Sequence, residues 1–148
     1  MANKKISELT AKGSVIEDTD LIMISDYNGS TYDTKSVTGA NIKPYKVYLA
    51  VINQTGTGAP SSSWNYDELS TTLTWARTGV GTYTLTSSGT EFANLKTYVQ
   101  ITIGNSILGW IGVVRTSTSV LTFSTYDGTQ TLADSVLSSA QLEIKIIK

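Results

Sequence analysis

At 148 residues the chain can hold one core of ordinary size with a small appendage. Its net charge of −1, with no basic run, argues against nucleic-acid binding. Cys and His are both absent, which removes disulfides, thiolate and imidazole metal ligands, the nucleophilic thiol and the commonest general base. No apolar run reaches about 18 residues, so no membrane span is expected, and MANKKISEL lacks the apolar core of a signal peptide. The chain carries 18 Ser and 23 Thr against only 16% charged residues, a balance that suits strands and turns rather than surface helices.

Residues 1–44 differ in character from the rest of the chain and read as a separate module. Ile6 and Leu9 are spaced for one face of a short turn or helix. Glu17-Asp18-Thr19-Asp20 reads as a solvated turn whose carboxylates cap backbone N–H groups, because the ligand spacing of an EF-hand loop is absent. Leu21–Ser25 predicts a short strand, Asn28-Gly29 is the strongest hairpin signal in the chain, and Thr31–Val37 supplies the partner strand. Gly39–Ile42 fits one turn of helix. Pro44 disfavours helix at Lys43, so a boundary is expected near 43–45.

KISELT followed by DTDLIMISDYNGSTYDTKSVTGANI resembles the N-terminal module of virion fibre and appendage proteins of tailed bacteriophages, those of Bacteroidetes and crAss-like phages above all. The parts that match are Lys5–Leu9, Asp20–Ile24, Asn28–Gly29, Thr34–Val37 and Gly39–Ile42, and they cover about the first 42 residues. The resemblance implies a structural protein located in the virion, a short head or tail fibre or a capsid decoration, with residues 1–44 as its anchor. It implies that capsid or tail proteins are its partners. The residues expected to bury against other chains are Ile6, Leu9, Leu21, Ile22, Ile24, Val37 and Ile42.

Residues 45–148 predict a larger β domain. Tyr45–Asn53 is apolar on both faces and reads as a central strand or a subunit contact. Gln54–Ser63 reads as a flexible Gly/Ser/Thr loop with Pro60. Leu73 and Trp75 alternate in TTLTWAR, Gly79-Val80-Gly81 turns the chain, and Tyr83 and Leu85 alternate in TYTLT. Thr97–Arg115 then reads as a hairpin around Gly104-Asn105, with a return run buried on both faces and Trp110 in the core. Val120–Tyr126 with Leu121 and Phe123 on one face, an Asp127-Gly128 turn and a last strand with Leu142, Ile144 and Ile146 on one face complete the series. Ala133–Ala140 fits a helical turn or a loop. About eight strands with turns between them predict a mainly β chain, with a small N-terminal hairpin module ahead of an antiparallel sandwich of jelly-roll-like kind. TGTGAP…LTWARTGVGTYTLT…KTYVQITIG is also similar to C-terminal β domains of phage structural proteins.

No catalytic residue, metal ligand or cofactor is assigned. Two sequons, Asn28-Gly-Ser30 and Asn53-Gln-Thr55, have no meaning for a protein made in a bacterium. Aromatic residues of β domains mostly fill cores, but Trp64 follows a polar loop, and Trp64 and Tyr66 are candidate contacts for a ligand such as a host surface glycan. The apolar second faces of Val47–Ile52 and Ile107–Val114 exceed what two sandwich strands need and predict an interface. The likeness to phage fibres makes that interface a homotrimer.

Overall fold

The computed structural model describes residues 21–27, 29–104 and 108–148. The chain divides into two compact units, Met1–Pro44 and Tyr45–Lys148.

In the first unit β1 (Leu21–Tyr27) pairs antiparallel with β2 (Tyr32–Thr38), from Leu21 opposite Thr38 to Tyr27 opposite Tyr32. Gly29 sits at φ +96°, a conformation open to glycine at little cost. The Tyr27 hydroxyl donates to the Gly29 carbonyl at 2.8 Å. One four-residue helical turn, α1 (Gly39–Ile42), comes after β2, and the Lys43 N–H closes it on the Gly39 carbonyl. Ile6, Leu9, the Glu17–Asp20 patch and Asn28 lie outside the described residues.

The second unit is all β, with eight strands in two antiparallel sheets. They are β3 (Tyr45–Asn53), β4 (Ser61–Asp67), β5 (Leu73–Gly79), β6 (Thr82–Ser87), β7 (Thr97–Thr102), β8 (Gly109–Arg115), β9 (Val120–Asp127) and β10 (Ala140–Ile147). Sheet I has the order β4-β3-β10-β7 and sheet II the order β5-β6-β9-β8. Period-2 alternation decides which side chains turn inward. Tyr48, Ala50, Ile52, Leu142 and Ile144 of sheet I join Tyr83, Leu85, Leu121 and Phe123 of sheet II in one buried cluster. Leu69, Phe92 and Leu137 from the connections complete it. Trp75 packs on its margin, its ring 4.9 Å from that of Phe123.

Several expectations are corrected. Thr97–Arg115 is not a hairpin: β7 pairs with β10 in sheet I, whereas β8 pairs with β9 in sheet II. Gly104 is not among the glycines with positive φ. A Cβ there would fall on the backbone of Ser139, so the glycine serves close approach of two chain segments rather than a turn. Among the described residues β8 is an edge strand and not a central one. Trp110 is 48% exposed and lies flat on Tyr126, with centroids 3.9 Å apart and planes 8° apart, so it is not a core residue. The stretch read as a loop to Ser63 ends in a strand, β4, which begins at Ser61. Its preceding loop is pinned: the buried Gln54 side chain donates to the carbonyls of Gly56 and Gly58 at 2.6 and 3.1 Å and accepts from the Ser135 N–H. Residues 134–139 form a bend and a turn, with positive φ at Ser135 and Ser139.

One carboxylate holds this connection against sheet II. Asp134 Oδ2 accepts from Arg77 Nη2 at 2.8 Å, while Oδ1 accepts from Arg77 Nε, the Gly81 N–H and the Tyr83 hydroxyl at 3.1, 3.0 and 2.7 Å. The Arg77 guanidinium, then the Tyr83 hydroxyl and the Gly81 amide, hold its pKa well below the usual carboxylate range. Burial first, and the Asp134 carboxylate next, raise the Tyr83 hydroxyl above its ordinary value.

This packing makes two predictions. Phe123→Ala is expected to cost about 3–5 kcal/mol in denaturant melts, the range for an aromatic removed from a core. Trp110→Ala should cost only about 1–2 kcal/mol, since half its surface already meets water and its main loss is the stack on Tyr126. Equal costs would contradict the edge placement of β8. Asp134→Asn is expected to lower the melting temperature at neutral pH. Because the folded carboxyl titrates below its unfolded value of about 3.9, its contribution is complete above that value and declines as pH falls toward the folded value. The difference in melting temperature between wild type and Asp134→Asn should therefore narrow from pH 7 to pH 3. A constant difference would remove the ionised carboxylate from the account.

Candidate functional site

The outward face of sheet I differs from an ordinary solvated sheet face. Alternation that turns Tyr48, Ala50 and Ile52 inward turns Val47, Leu49 and Val51 outward. Register then sets what stands beside them. Trp64, Val51, Gln141 and Thr102 form one row across β4, β3, β10 and β7. Tyr66, Leu49, Glu143 and Gln100 form the next. Val47, Lys145 and Tyr98 form a third. At about 4.8 Å between strands, each four-strand row spans about 14 Å.

The aromatic side of this face is carried by β4. Val51 lies opposite Trp64 and Ile52 opposite Ser62, so the register slips at Ser63. Such a bulge increases local twist and re-aims the side chains beside it. The Ser63 hydroxyl donates back to the Val51 carbonyl at 3.3 Å and ties the bulge to β3. Trp64 is 56% exposed and Tyr66 43% exposed, two residues apart on one face and so about 7 Å from each other. The Tyr66 hydroxyl donates to Glu68 Oε1 at 2.7 Å, which fixes the ring's direction.

The opposite side is polar. Leu49, Val51, Trp64, Gln100, Thr102, Gln141 and Glu143 line a shallow groove of about 320 Å³, near the lower bound of small-molecule sites at roughly 300–1,000 Å³. Gln100 accepts from the Tyr98 hydroxyl through Oε1 at 3.1 Å, leaving its amide N–H groups as donors. Gln141 and Thr102 are exposed. Two charges on β10 neutralise each other: Lys145 Nζ stands 3.0 Å from Glu143 Oε1. That contact, ahead of smaller contributions from Tyr45 and Tyr98, raises the lysine above its ordinary value. The Lys145 ammonium also lies 5.4 and 5.9 Å from the ring centres of Tyr45 and Tyr98.

The sequence-predicted residues thus fall into two groups. Trp64 and Tyr66 come together on sheet I, and reading them as ligand contacts required only their polar neighbours. Gln100, Gln141 and Glu143 were missed, because their place beside Trp64 and Tyr66 depends on β10 entering between β3 and β7. In the first unit Leu21, Ile24 and Ile42 are exposed, at 69, 42 and 47%, and Ile22 and Val37 form a half-buried cross-strand pair. Among the described residues no group of three acidic side chains gathers as a metal site would need. No family model, curated protein or solved structure matches the chain.

Trp64→Ala is expected to leave stability within about 0.5 kcal/mol of wild type, as surface substitutions usually do. It should also reduce acrylamide quenching of the tryptophan fluorescence, since it removes the most exposed of the three indoles. A cost above about 2 kcal/mol would place Trp64 in a packed environment.

Proposed function

We propose that the chain is a non-enzymatic structural protein of a bacteriophage virion, a short head or tail fibre or a capsid decoration. Residues 1–44 are its anchor and residues 45–148 the displayed head. The observation that carries this reading is the coincidence of two divisions. The segment that resembles phage appendage modules ends at about residue 42, and the chain separates into compact units after Pro44. The exposed Leu21, Ile24 and Ile42 on the small unit favour it further, since apolar groups of this size are costly to leave in water and suit capsid or tail partners. The absence of His and Cys favours a role without catalysis.

The head reads as a β sandwich, sheets I and II being its layers. Its likeness to a jelly roll stops at the two layers. β3–β4, β5–β6 and β8–β9 are hairpins within one sheet, where a jelly roll sends most successive strands to opposite sheets. Copies associate as a homotrimer in this reading. Leu108, Trp110 and Val114, exposed on and beside β8, are the surface that favours contacts between heads. A second reading, a head that recognises a host surface glycan, is favoured by one observation, the exposed Trp64 and Tyr66 beside the groove of sheet I.

Deleting residues 1–43 tests the anchor. The truncated protein should keep a cooperative melt yet fail to join particles, and normal incorporation would overturn the reading. Sedimentation equilibrium tests the trimer. A mass near three times 15.9 kDa is expected for the full chain, and a monomer at micromolar concentration would reject it.

A further inference from the structure

We infer that the outer face of sheet I is a binding site for a neutral polysaccharide, a proposal that rests on the glycan reading above and names its ligand class. A pyranose ring presents two kinds of surface. Its faces carry axial C–H groups, and its rim carries hydroxyls that both donate and accept. The face around the groove has the matching halves. Trp64 and Tyr66 offer exposed rings on β4, with Leu49 and Val51 as an apolar floor beside them. Gln100, Thr102 and Gln141 stand across that floor on β7 and β10. Amides and hydroxyls donate and accept as sugar hydroxyls do.

Charge selects the neutral class. The carboxylate lining the groove, Glu143, is paired with Lys145, and the Glu68 carboxylate beside it accepts from the Tyr66 hydroxyl and the Val47 N–H, so the site offers no unpaired cation for an acidic sugar and its carboxylates are already engaged. The face is also rigid. It lies on a four-stranded sheet whose inner side is core, and the Tyr66 ring is held by Glu68. Little ordering entropy is then lost on binding. Aromatic groups about 7 Å apart along one strand present successive platforms, which favours a chain over a single sugar. Against a second copy of this protein stands the far side of the groove, which is neutral amide and hydroxyl rather than apolar.

The test is affinity electrophoresis of the full chain in gels containing dextran, mannan, galactomannan or β-glucan, with alginate as the acidic comparison. At least one neutral gel should retard the protein and alginate should not. Trp64→Ala and Tyr66→Ala should each raise the apparent dissociation constant tenfold or more, and Gln141→Ala severalfold. Trp110→Ala, which removes an exposed indole from sheet II, should change it less than twofold. Retardation should persist when salt is raised. No retardation in any neutral gel, retardation by alginate alone, or equal retardation of Trp64→Ala would each overturn the proposal. A change in sedimentation mass on Trp64→Ala with retardation intact would assign the face to contacts between copies and overturn it as well. Particle incorporation of the 1–43 deletion is read separately, so loss of the virion reading and loss of the polysaccharide site are distinguishable.

Discussion

The segment 133–139 has to carry the chain from sheet II back into the middle of sheet I, and polar contacts fix both of its ends. Asp134 takes four hydrogen bonds from Arg77, Gly81 and Tyr83, all on or beside the β5–β6 hairpin of sheet II. One residue on, the Ser135 N–H donates to Gln54, the residue that follows β3 of sheet I, and the Ser139 N–H donates to Asn53 Oδ1 at 2.9 Å. The crossing is thus clamped to both sheets before β10 begins at Ala140. The β10 part of the outer face of sheet I follows from that clamp, because Gln141 and Glu143 are the first outward positions of β10. A one-residue slip would turn both inward and send Leu142 and Ile144 to water.

Much of the core was legible because its strands obey simple alternation. Leu85, Leu121, Phe123, Leu142 and Ile144 could be placed on inner faces from spacing alone, and each is buried. The mainly antiparallel β class comes from the same pattern. The misreadings have a common source, which is that local sequence does not say which sheet a strand joins. Gly104 suits a hairpin turn and a close backbone contact equally well in sequence, and only the position of Ser139 separates the two. The apolar run through Trp110 looked central, yet β8 closes an edge and shelters its indole by stacking rather than by burial. β4 escaped notice because an exposed edge strand of Ser, Asn and Asp has the composition of a loop.

The candidate site shows the same division. Its aromatic half lies on a single strand, so two residues of one short segment were enough to suggest it. Its polar half is assembled from β7 and β10, roughly forty residues apart in the chain, and no spacing rule connects them. Chemistry that depends on neighbours across a sheet becomes visible only when the strand order is known. In this chain that order places amide and hydroxyl groups opposite an exposed indole.

The bulge at Ser63 has a further consequence. Among the described residues β4 ends sheet I, pairing with β3 on one side only, and all seven of its residues are exposed. A flat, regular edge of that length is a template for strand-by-strand polymerisation between copies. The irregularity between Ser62 and Trp64 interrupts the ladder partway along, so a neighbouring chain cannot continue in one register past it. The kink that turns Trp64 outward is therefore also a guard against aggregation when many copies are crowded together.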